Sequence, residues 1–80
     1  MKIPVIKKLV EQYTIEELEK AEAALAEEQT PEIVIEGSDE GEQLTHAFAA
    51  MWIKKKVDEE KLEFKEALRE YTKMVRGSIS

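Results

Sequence analysis

Eighty residues with a net charge of −6, 18 acidic and 12 basic side chains and 42% hydrophobic residues make one domain, residues 1–80, with one thin core. The absence of cysteine excludes disulfides, thiolate metal sites and thiol nucleophiles. A chain this short buries only about 60–65% of its unfolded surface, and oligomerisation is the stabilising device its composition leaves most open.

Residues 1–13 do not read as a secretory signal, because the apolar run is only Ile3-Pro4-Val5-Ile6 and no small-residue cleavage site follows. Pro4 suits the first turn of a helix, where its missing N–H has no partner to lose. Ile3, Ile6, Val10 and Tyr13 share one side at helical spacing, with Leu9 at the edge. Thr14-Ile15-Glu16-Glu17 then fits a capping box, opening a second helix that runs to about Gln29. Its apolar stripe is Ile15, Leu18, Ala21 and Leu25, and Thr30-Pro31 ends it, since the residue before proline is pushed out of helical geometry. Residues 14–43 carry eleven acids against Lys20 alone. Such a surface keeps a small protein in solution and argues against nucleic acid or an anionic membrane as partner.

Glu32-Ile33-Val34-Ile35-Glu36 is the strand candidate: β-branched, alternating, and stopped by Gly37. A lone strand leaves its backbone groups without a ladder. Its partner is either residues 2–6 of the same chain, with Pro4 on an edge, or the same strand of a second copy. In the second arrangement Ile33 meets Ile35 across a two-fold at Val34, and Glu32 faces Glu36.

Ser38 is the expected N-cap of a third helix, with Asp39, Glu40 and Glu42 complementing its dipole. No glycine or proline interrupts the chain from Glu42 to Arg76, yet helical phase demands a break. Leu44, Phe48, Met51 and Trp52 form one apolar cluster; Phe64, Leu68, Tyr71 and Val75 form another about half a turn round. The break belongs between Val57 and Glu63. The third helix also carries His46, Ala49, Ala50, Ile53 and Val57 on its other side, which a short monomer struggles to cover. With Ile33 and Ile35, these five residues are the expected subunit interface. In the last helix, Glu66–Arg69 and Glu70–Lys73 are expected to pair along an ordinary solvated face that also holds Lys61 and Lys65. The longest apolar stretch, Leu44 to Ile53, falls well short of the roughly 20 residues of a membrane span, so the expected location is cytoplasmic.

The chemistry-bearing residues are few. Asp39, Glu42 and His46, spaced by three and four, make half of a carboxylate–histidine metal site, but no second histidine completes it. A capping cluster explains the same acids. Residues 36–41 faintly resemble a calcium loop, which fails because Ala47 stands where the bidentate glutamate is needed. Neither a nucleophile elbow nor a phosphate-cradling glycine loop is present. The expectation is a non-enzyme without a cofactor. Metal or ligand binding through Asp39, Glu42 and His46 is the alternative.

Ile3-Pro4-Val5-Ile6-Lys7-Lys8, Gln29-Thr30-Pro31-Glu32-Ile33, Gly41-Glu42-Gln43-Leu44-Thr45-His46 and Lys65-Glu66-Ala67-Leu68-Arg69-Glu70-Tyr71-Thr72 together resemble a family of short bacterial proteins of unknown function. The resemblance covers almost the whole chain and implies small size but no activity. The architecture expected is mainly α, with four helices and one short β-strand between helices 2 and 3 that dimerisation completes. The function expected is a non-catalytic interaction or accessory module, acting as a homodimer or with an unidentified protein partner.

Overall fold

Local sequence signals place four helices in the chain: α1 (Ile3–Gln12), α2 (Ile15–Ala26), α3 (Glu40–Glu60) and α4 (Phe64–Ile79). The computed structural model describes residues 2–79, and the side chains of residues 2–77. Pro4 lies in the first turn of α1, whose buried residues are Ile6, Leu9 and Val10. Thr14 closes the capping box that begins α2: its hydroxyl accepts from the Glu17 N–H at 3.2 Å, and its own N–H donates to Glu17 Oε1 at 2.9 Å. Helix α2 stops at Ala26, three residues short of expectation, in a Schellman turn. Glu28 takes the left-handed conformation (φ 60°), and the Gln29 N–H reaches back to the Ala24 carbonyl at 2.7 Å.

The expected strand does not form. Among the described residues there is no strand, and residues 34–37 run as an irregular extended segment. The alternation was read correctly: Ile35 is buried, Ile33 half-buried and Val34 77% exposed. What holds the segment is insertion of isoleucine side chains into the core, while a backbone lying over the surface leaves its polar groups within reach of water. No ladder is required, and the strand gives no reason for a second copy. Gly37 lets the segment approach α3 closely, because a Cβ there would lie 2.9 Å from the backbone nitrogen of Gln43.

The N-cap of α3 is Asp39 rather than Ser38; its carboxylate accepts from the Glu42 N–H at 2.7 Å. The helix ends at Glu60, inside the window that phase demanded, with Lys61 in the left-handed conformation (φ 56°). Helices α1, α2 and α4 each pack principally on α3, which is therefore the hub of a flat molecule of 30 × 30 × 19 Å. That role explains why α3 is apolar almost all round. The fully buried Ile6, Leu18, Ile53 and His46 form the centre of the core.

Candidate interaction surface

His46 is completely buried, and both ring nitrogens are in use. Nε2 accepts from the backbone N–H of Lys2 at 2.9 Å, and Nδ1 lies 2.7 Å from the carbonyl oxygen of Glu36. A nitrogen that accepts from an amide carries no proton, so the ring is neutral and Nδ1–H is the donor to Glu36. The side chain thereby ties the start of α1 and the extended segment to the middle of the hub helix. Asp39 caps α3. Glu42 Oε1 accepts from the Ser38 N–H at 2.9 Å and from the Ser38 hydroxyl at 3.2 Å. The Ser38 amide holds the Glu42 carboxyl below its ordinary value. These three residues are brought near one another, and both His46 nitrogens and one oxygen of each carboxylate serve the fold. No group of three metal-ligating side chains is assembled among the described residues.

The side of α3 expected to meet a second subunit lies inside the protomer. His46, Ala49, Ala50 and Ile53 have no exposed surface, Ile35 is buried, and Ile33 and Val57 pack against the same core. The small side chains of Ala49 and Ala50 admit the chain's own helices. Sequence reasoning underestimated how much of a hub helix three short neighbours cover.

The open surface is on the other side, around α4. Of its described side chains only Ala67 and Tyr71 are buried, while Phe64, Leu68 and Val75 are half-buried. Tyr71 packs edge-on against Trp52 (ring centroids 5.7 Å apart) and lies 6.3 Å from Phe48. Burial pushes its phenol above the ordinary value. Lys56 sits 5.4 Å over the Trp52 ring and bonds Glu60 at 2.6 Å. Phe48 and Met74, each 38% exposed, are the large apolar side chains left open on this layer.

Helical phase divides the outer surface of α4 by charge. At about 100° per residue, Lys65, Arg69 and Arg76 fall within an arc of roughly 40°, and Lys73 lies about 40° further round, next to Glu66 and Glu70, with which it and Arg69 line a second open cleft. The six residues Lys65, Leu68, Arg69, Thr72, Lys73 and Arg76 line an open cleft of about 330 Å³. The expected pairs Glu66–Arg69 and Glu70–Lys73 are not made. The ion pairs formed are Lys55–Glu19 at 3.0 Å and Lys56–Glu60, and none of the four cations in the cleft has an ion-pair partner among the described residues. An i,i+3 pair is worth only a few tenths of a kcal/mol, too little to hold two long side chains together in water. The uninterrupted basic flank is therefore Lys65, Arg69 and Arg76, and Glu66 and Glu70 border it on the side of Lys73.

A family of unknown function, DUF6952, matches residues 1–80, the whole chain. The chain belongs to this family. Membership carries no named activity, and neither a curated protein nor a solved structure matches the chain. No helix among the described residues is long and apolar enough to cross a membrane.

Proposed function

We propose that this member of DUF6952 is a non-catalytic interaction module that works as a homo-oligomer in the cytoplasm of a bacterial cell. The observation that carries the reading is the surface left around α4, a helix seated principally on one neighbour. The accessible area of 5456 Å² exceeds the approximately 4,900 Å² expected of a compact monomer of 9.2 kDa. Around α4, half-buried aromatic and aliphatic side chains beneath a charged rim have the composition of a protein contact. The single histidine, Asp39 and Glu42 are engaged in holding the chain together. The titratable side chains that line the α4 cleft and the 270 Å³ cleft beside α2 all face solvent, where a catalytic acid or base gains no help from burial.

Light scattering on the purified full chain tests the assembly. A mass of at least two chains at micromolar concentration is expected, and a 9.2 kDa particle throughout would overturn homo-oligomerisation.

A further inference from the structure

The charge that α4 gathers on one flank is the complement of the charge that α2 presents outward. We infer that copies of this chain associate by laying the basic flank of α4 antiparallel along the acidic outer face of α2 on a second copy. This inference names the contact for the homo-oligomeric reading above and rests on it.

Three observations fit the two faces together. Glu16, Glu19 and Glu27 of the α2 region are exposed, separated by the small residues Ala23 and Ala26, so another helix can come close. Glu16 and Glu27 are eleven residues apart, as are Lys65 and Arg76, a rise of about 16 Å in both helices. The antiparallel register that sets Lys65 beside Glu27 also sets Arg76 beside Glu16 and Lys73 beside Glu19, and it brings half-buried Leu68 over half-buried Ala24. Lys20, the one cation of α2, falls opposite Thr72 between Arg69 and Arg76, and its charge opposes the contact. Glu19 already pairs with Lys55 at 3.0 Å within its own chain and would be shared between the two cations.

A second copy fits better than a phosphate polymer. The basic flank is one side of one helix in a molecule of net charge −6, so an extended polyanion would run from it onto repelling surface. Because the contact joins two different faces, each copy offers both halves of it. Reciprocal exchange closes a dimer, and one-way exchange extends a chain of protomers.

Sedimentation velocity on the full-length protein tests the contact. Raising NaCl from about 50 mM to about 500 mM shortens the screening length from roughly 14 Å to roughly 4 Å and should weaken self-association at least tenfold. The double variant K65E/R76E should weaken it by a similar factor, and so should E16K/E27K. Mixed in equal amounts, those two variants should associate again, since each supplies the face the other has lost. K7E/K8E, with the same change in net charge as K65E/R76E but placed on α1, should associate far better than that variant. All these positions are exposed, and circular dichroism melts check that the fold is kept. Association indifferent to salt and to both double variants, no recovery on mixing, or equal weakening by K7E/K8E overturns this contact while leaving homo-oligomerisation through another face. A strictly monomeric chain at low salt overturns both.

Discussion

The two sides of α3 are built to different standards. Towards α1, α2 and the extended segment, Ile6, Leu18, Ile53 and His46 have no exposed surface, and every ring nitrogen of His46 is bonded. Towards α4 the buried set shrinks to Ala67 and Tyr71; large apolar side chains face water at both edges, Ile3 and Val34 on the first side and Phe48 and Met74 on this one. The same helix thus carries a finished interior and an unfinished one. Local stability follows the apolar area each side removes from water, so α4 belongs at the low-stability end of the molecule, where interaction surfaces are commonly drawn from.

The comparison can be broken most forcefully by truncating a side chain on each side. Ile53→Ala, at the centre of the finished side, should cost about 3–4 kcal/mol in urea unfolding, whereas Met74→Ala should cost no more than about 0.5 kcal/mol. Equal costs would mean that the two sides do not differ. His46→Ala comes next, at about 2–3 kcal/mol, because it opens a cavity and strands the Lys2 N–H and the Glu36 carbonyl together. Nitrogen NMR of the wild-type imidazole should show the Nδ1–H tautomer that this arrangement demands.

Smaller effects of the opposite sign are expected at the two left-handed turns. Glu28→Gly at the end of α2 and Lys61→Gly between α3 and α4 should each stabilise the protein by about 0.5–1 kcal/mol, since glycine adopts φ near +60° without a Cβ clash. A loss of stability at either would show that the native side chain makes a compensating contact. The smallest expected effect is at Glu42. The Ser38 amide bonds its ionised form and holds its carboxyl below 4.5, the ordinary value. This contribution is fully present above that value and is lost as pH falls through the lower folded value. Glu42→Gln should therefore flatten the acid limb of the stability curve and leave its neutral region nearly unchanged in slope.

Much of the fold was legible because it is written in local chemistry. The capping box at Thr14 and the phase break before Glu63 each depend on residues within one or two turns, and the structure keeps both, whereas α2 ends at Ala26 in its own left-handed turn before Pro31 can act. The strand was misread because alternation reports which side chains turn inward and says nothing about whether a ladder partner exists. The face of α3 assigned to a subunit contact shows the same limit. His46, Ala49, Ala50 and Ile53 were recognised as a buried face, but a linear pattern cannot tell a second subunit from the chain's own α1 and α2. The ion pairs assigned to α4 failed because spacing permits such pairs without making them worth their entropy.

By itself, then, the sequence determined that there are four helices, which side chains seek burial, and that charge is divided between an acidic middle and a basic last helix. Those properties arise from neighbours along the chain. Tertiary structure alone decided that α3 is the hub, that His46 fastens two distant segments to it, and that α4 is left with one firm neighbour. Burial is settled by which surfaces meet in space, and helices of similar apolar content compete for the same partner until geometry assigns them.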